Sequence, residues 1–599
     1  MAERRMGAVL AGLVLAVIPL VILYLVVPTA PPGSSRPAEA DDEGGWPEEP
    51  APPAHPDFPT PEAAGTQAVF LLEEPPRSPR VEAVEVPDRR GLTATAHAYC
   101  ELEGNQVICS PALSEPPPGA SHHRVERQGS QAVLVEHRRP DGRVAETLVL
   151  TRLPDGTALR IARLDEFGAL DWVREFSDQG RRYGERLRNG ANRLSGCGSV
   201  RLEPDDRGRI AALTCLEWSG RPMLDATGVA TRRMERDEGG FLRSISNLGL
   251  AGEPLADHFG VQRAELERDG NGRVVLEAFR GLDHEPVLSA EQGCAARRTR
   301  YSARGLPEEL TCLDAAGRPT PGAQGITVER REHDARGCLT LRQFQDPAGA
   351  PQADVHGVAG HRFLVDESCL ELSDTCLDAA GQPCACGPGR PARLEQRYDA
   401  RGQLVSVRAY AADGTPGQDA GYGVFEVRLG YDGWGNQVRE ACYDAAGEPV
   451  DCGSTGFHEI VREPDEAGRS VRETFLDSQG RRARNLSTWE RRLRYDNYDH
   501  LSETRSLDQR GELVESLGLA IRRQLYDRGH RLFGVLLFDA QDRPARYGGC
   551  FTGVECPDTA WHAVRVVRAT NGRLVKNQYF DARRQLVLEL DCARSKCFQ

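Results

Sequence analysis

A paired corner returns along this chain at a nearly fixed interval. In "RYDARGQLVSVRAYAADGTPG", Asp399-Ala-Arg-Gly402 makes one corner and Ala411-Ala-Asp-Gly414 the next, twelve residues on. Taking the first corner as a marker, the series runs Asp165, Asp205, Asp237, Asp269, Ser302, Asp334, Asp366, Asp399, Asp432, Asp465, Asp496, Asp527 and Ala569. From Asp205 to Asp527 every step is 31 to 33 residues. Asp accepts hydrogen bonds from nearby backbone amides, and Gly three residues later can take positive φ, so each corner reverses the chain. One unit of this size cannot bury a core alone; copies must stack on their neighbours.

About eight residues separate the two corners, an ordinary strand length. Five residues past the marker the side chain is usually apolar, as at Leu339, Leu404 and Leu532. Ten past it an aromatic or a cysteine recurs, as at Phe279, Cys312, Phe344, Cys376 and Cys442. These columns have opposite parity, and a flat strand would turn them to opposite faces. Either both faces are partly buried or a bulge shifts the register, and the sequence leaves both open. A further strand precedes each marker, as in "GITVERREHD". The expected fold class is all-β: tandem antiparallel β-hairpin repeats forming an elongated or spiral sheet over residues 126–599, preceded by one transmembrane helix. A small β region is expected over 66–125, and a closed shell is a variant of the same architecture.

Met6 to Val27 is an uncharged apolar run long enough to cross a bilayer, with Arg4 and Arg5 before it. The expectation is a cytoplasmic terminus (1–5), a signal anchor (6–27) and export of all that follows, single pass in a bacterial inner membrane with the bulk in the periplasm or outside. The competing reading is a cleaved signal peptide. Residues 28–65 are rich in Pro and acidic groups and form a semi-rigid spacer. Net charge is −14, which argues against a nucleic-acid partner. Arg supplies nearly all positive charge, only Lys576 and Lys596 being present, which reads as GC-rich codon usage.

All 17 cysteines follow residue 99, on the expected exported side, which fits an oxidising compartment. Repeat alignment constrains their pairing. Cys197 and Cys215 occupy the same two columns as Cys294 and Cys312. Cys376 and Cys386 match Cys442 and Cys452. Cys338 and Cys369 sit near equivalent strand starts in consecutive units. Cys100–Cys109, Cys550–Cys556 and Cys592–Cys597 close local loops. Cys384 is left over, in the column held by Val450, and could link two chains.

The stretches "RYDARGQLVSVRAYAADGTPG", "GYDGWGNQVREACYDAAGEPVDCG" and "RREHDARGCLTLRQFQDPAGAP" resemble the tyrosine–aspartate repeats of Rhs-type and teneurin-like bacterial proteins, over roughly residues 135 to 590. The resemblance implies an extracytoplasmic β-strand array that wraps, displays or binds. The period here is longer than in that family, and the Tyr before the marker Asp survives in a minority of units: Tyr398, Tyr431, Tyr495 and Tyr526.

Cys384-Ala-Cys386, with Cys376 and His361 nearby in sequence, invites a redox or metal reading; one bridge plus a left-over thiol is the structural reading. His122-His123 reads as a solvated loop. "RDGNGRVVLE" lacks the bidentate acid of a calcium loop and reads as a turn. No nucleophile elbow, phosphate loop or HExxH occurs. The expectation is therefore a non-catalytic scaffold or binding module for an envelope protein or glycan, without cofactor or catalytic residues. The alternatives are a thiol-dependent redox or metal-binding protein using Cys384 and Cys386, and a cargo-enclosing shell.

Overall fold

The computed structural model describes residues 86–591 apart from short internal stretches, the longest being 188–196 and 546–560. The expected anchor (6–27), the spacer (28–65), the markers Asp527 and Ala569, and Cys550, Cys556, Cys592 and Cys597 lie outside the described residues. Among the described residues no helix is long and apolar enough to cross a membrane.

Thirty-three strands join one antiparallel sheet. The N-terminal strands are β1 (Thr93–His97), β2 (Cys100–Glu103), β3 (Gln106–Cys109), β4 (Ala112–Leu113) and β5 (His122–Gln128). β1 lies between β4 and β5. From β5 the ladder runs strictly in chain order to the strand Leu586–Asp591. The expected small β region is thus continuous with the array, except that β2 and β3 form a separate hairpin. That hairpin lies on the sheet, with Leu102 and Val107 packed in a cluster that includes Val125, Ile161, Trp172 and Met234.

The corners form as their chemistry dictates. Oδ1 of Asp399 accepts the amides of Arg401 and Gln403, each at 2.9 Å, and Gly402 takes φ +73°. A third corner, which the sequence reading missed, follows twenty residues after the marker. There Asp225, Asp257 and Asp354 each accept the amide four residues on, Val229, Val261 and Val358. Before it, a proline pairs back onto the end of the preceding strand, as in Leu313↔Pro319 and Leu377↔Pro383.

The register question resolves as a bulge. Arg397 pairs with Ser406 but Tyr398 with Leu404, so Val405 is the extra residue. The same shift recurs along the array. It returns the columns five and ten past the marker to one face, where Cys442 and Phe475 are buried and Leu404 and Tyr431 pack against their cluster. A bulge at the same place in every unit bends and twists the ribbon in one sense.

The bulge also explains the tyrosines. Pairing between units covers only three residues, such as Ser406↔Arg428 to Arg408↔Glu426, so the carbonyl of Leu404 is beyond the ladder. The Tyr431 hydroxyl donates to it at 2.8 Å. Tyr301, Tyr398, Tyr495 and Tyr526 do the same to Val274, Glu371, Ser470 and Leu501, at 3.0 to 3.2 Å. Where Arg replaces Tyr, Arg236 and Arg268 reach the corresponding carbonyls of Ile210 and Leu242.

The ribbon coils until its own edges meet. Arg268 pairs with Glu101 at 3.0 Å, both nearly enclosed. The Ser121 amide donates to the Arg304 carbonyl at 2.9 Å, and Arg304 returns a bond to Gly119 at 3.1 Å. Arg143 donates to the Glu367 carbonyl at 2.7 Å. The Phe167 ring lies over Gly402. As the chain advances from 101 to 167, its partners advance from 268 to 402, all at marker corners. Two successive turns of a spiral therefore lie edge to edge.

On the opposite face from the cysteine column, Glu426, Glu459 and Glu490 repeat six residues before their markers and are buried. Arg428, Arg439 and Arg472 pair with them in turn. Burial opposes ionisation of Glu426, but hydrogen bonds from Arg428, Ser406 and Arg408 outweigh it and hold the carboxyl down to about 2.

Candidate functional site

The column ten past the marker is where the array concentrates reactive side chains. Cys197–Cys215, Cys294–Cys312, Cys376–Cys386 and Cys442–Cys452 all use it, and Cys338–Cys369 joins the corners of consecutive units. Cys100–Cys109 closes the β2–β3 hairpin. Cys384 carries no bridge.

The unit around Asp366 differs from the others. Its two strands, Gly360–Val365 and Glu371–Leu377, pair His361 with Cys376 and Phe363 with Asp374. His361, Asp374 and Cys376 therefore share one face. His361 Nδ1 lies 2.9 Å from Asp374 Oδ1 and 3.7 Å from Cys376 Sγ. The imidazole stacks on Phe363 and meets the Phe344 ring edge-on. The Cys384 amide donates to the Cys376 carbonyl at 2.9 Å, which places Cys384 across the second-corner hairpin, Asp378–Gly381, from Cys376. Cys384 packs with Cys386 and Ile326 against Phe344, Val358 and Cys376. Burial, then the charges of Asp378 and Asp354, push its thiol up from the usual range. It is not an activated nucleophile.

Among the described residues this is the one cluster of His, Cys and acidic donors close enough to hold a metal ion. While Cys376 is bonded to Cys386 it offers no thiolate. The sequence reading had Cys376, Cys384, Cys386 and His361, and missed Asp374. The signal was present: Asp374 is two residues from Cys376, and so on the same face of one strand.

The acidic markers have structural roles. Asp334, Asp366, Asp399 and Asp432 each accept backbone amides two and four residues on, at 2.7 to 2.9 Å, and Asp465 accepts that of Arg469 at 3.0 Å. In the loosely calcium-like stretch, Asp269 likewise accepts Asn271 and Arg273, as a turn. His122-His123 is not a solvated loop. Both residues lie in β5, and His123 is buried with its ring stacked on His137 at 4.8 Å. The hydrophobic column that β5 feeds runs through this pair, and polar residue type alone concealed it. Burial depresses both imidazoles below the usual range.

No family model matches this chain, and no curated protein does. Solved structures of a TcdB2–TccC3 protein, crystallised without its hypervariable C-terminal region, and of the Photorhabdus luminescens Tc holotoxin pore are similar over 84% of this chain at 12% identity, with a TM-score of 0.36. The chain spans 26% and 25% of their lengths. A porin-like protein from Bacteroides uniformis is similar over 48% of this chain and 88% of its own, at 7% identity and a TM-score of 0.11. Likeness at these levels is no basis for a functional assignment.

Proposed function

We propose that this chain is a non-catalytic scaffold or binding module for an envelope protein or glycan, tethered to the inner membrane by residues 6–27 through the spacer 28–65. The observation that supports it is the employment of the reactive groups. Corner carboxylates accept backbone amides, interior carboxylates pair with arginines, and bridged cysteines staple units to themselves or to the next copy. A spiral braced in this way presents a long stiff surface, and stacked repeats commonly serve as such surfaces. Membrane fractionation and protease treatment of spheroplasts test it. The full chain is expected to sediment with membranes, lose its body to external protease, and leave the membrane when residues 6–27 are deleted. A full-length chain found soluble and protease-protected, with its thiols reactive, would overturn the reading.

The edge-to-edge contact between spiral turns favours a second reading, a shell around cargo, because sealing successive turns is what an enclosing wall requires. Small-angle scattering separates the two. A hollow interior in the distance distribution supports the shell, and a filled one supports the scaffold.

A further inference from the structure

We propose that the corner around Cys376 is a redox-gated site for a thiophilic divalent cation of the zinc class. Reduction of Cys376–Cys386 frees two thiolates, which bind the ion together with His361 Nδ1 and the Asp374 carboxylate. The donor atoms of His361, Asp374 and Cys376 already lie within 4.8 Å of one another. Cys386, bonded to Cys376, completes a set of four. In a tetrahedral site with metal–sulfur bonds of about 2.3 Å, two sulfurs stand about 3.8 Å apart, so opening the disulfide needs only a small separation.

The sibling unit isolates what is special here. Cys442–Cys452 bridges the same two columns, ten and twenty past the marker. There Val427 faces Cys442 where His361 faces Cys376. Glu440 stands where Asp374 does, but pairs with Arg462 at 2.7 Å. Val450 occupies the column of Cys384. A bridge at these columns therefore forms without histidine, a carboxylate beside it or a third thiol, and the donors around Cys376 are extra to it. The surroundings suit an ion. Phe344 and Phe363 shield the imidazole, and Arg342 approaches from the neighbouring unit, held by Glu329 at 2.8 Å. Two thiolates, one carboxylate and a divalent cation sum to −1; Arg342 and Arg331 share the single carboxylate of Glu329, and the +1 left over offsets it.

The chemistry balances with a dithiol reductant. Its two sulfurs form a disulfide while Cys376–Cys386 accepts two electrons and two protons. Metal binding then displaces both thiol protons to solvent. Oxidation by a disulfide reverses the sequence and releases the ion.

Cobalt(II) added to the full chain tests this, because tetrahedral thiolate coordination gives characteristic visible absorption. The unreduced chain is expected to give no such bands, and the chain reduced with a phosphine to give them at one ion per chain. His361→Ala and Asp374→Asn should each weaken binding by roughly tenfold or more, and Cys376→Ser should abolish the bands. The double variant Cys442→Ser/Cys452→Ser should retain them. Bound metal should shield Cys376 and Cys386, but not Cys442 and Cys452, from alkylation read by mass spectrometry. Bands in the unreduced chain, bands undiminished in His361→Ala, equal shielding of both pairs, or loss of the strand signal on reduction before cobalt binds would each overturn the proposal.

Discussion

Removing one hydroxyl tests the account of the bulge. In Tyr431→Phe the ring keeps its place against the cluster around Cys442, and the bond to the Leu404 carbonyl is lost. A net hydrogen bond contributes about 1 kcal/mol, and an orphaned buried carbonyl costs more. Tyr431 and Leu404 are half-buried, so water reaches the carbonyl and the lower figure applies. A repeat array does not unfold as one unit, so a global melt is the wrong assay. Native-state hydrogen exchange over Leu404–Tyr410 and Glu426–Tyr431 reads the local opening. A loss of about 1 kcal/mol should speed exchange there roughly fivefold. Tyr431→Arg is the discriminating variant, because Arg236 and Arg268 bond the equivalent carbonyls in their own units. It should exchange close to the wild-type rate. If the phenylalanine variant exchanges like wild type, or the arginine variant as fast as phenylalanine, the carbonyl does not matter and tyrosine serves only as packing.

Gly402→Ala and Gly414→Ala should both strain a left-handed backbone at a cost of about 1 kcal/mol. Only at Gly402 would the new Cβ strike the Phe167 ring, at 2.5 Å, so protease sensitivity of the 165–168 corner should rise in that variant alone. Acid should loosen the array through Glu426 and Glu329, both held down to about 2. Their folded values lie below the unfolded one, so their stabilisation is complete above pH ~4.5 and is lost as pH falls from there towards ~2, which circular dichroism at graded pH would follow. Losing Cys338–Cys369, which spans 31 residues, should cost about 3.7 kcal/mol, against about 2.7 kcal/mol for Cys442–Cys452, which spans 10, on loop entropy; ranking the two serine variants by exchange of the adjoining strands checks the order.

The period, the corners and the cysteine columns were legible because each rests on local chemistry repeated many times. Aspartate at 399 and glycine at 402 demand a turn wherever they occur, and a bridge such as Cys294–Cys312 follows once two units can be overlaid. The third corner escaped because its acid is replaced in some units, by Ser289 or Cys386 for example, and only the backbone bonds repeat. The parity conflict between Leu404 and Cys442 was visible, but a bulge is a property of pairing between strands, which one strand's sequence does not carry. Edge contacts such as Arg143 with Glu367 join residues 224 apart and depend on accumulated twist, so no local pattern announces them. Asp374 was hidden by its neighbours: aspartate is so common at corners here that one on a strand drew no notice.

The seam between spiral turns sets a clock for the nascent chain. Its partners are separated by 167 residues at Glu101 and Arg268, and by 224 at Arg143 and Glu367. At synthesis rates of ~5–20 residues per second, the first-made edge waits on the order of 10 to 40 s for the chain that will cover it. Hairpins zip as they emerge, but docking of the first turn is deferred until the second exists, so those early loops are the part a chaperone or protease meets first.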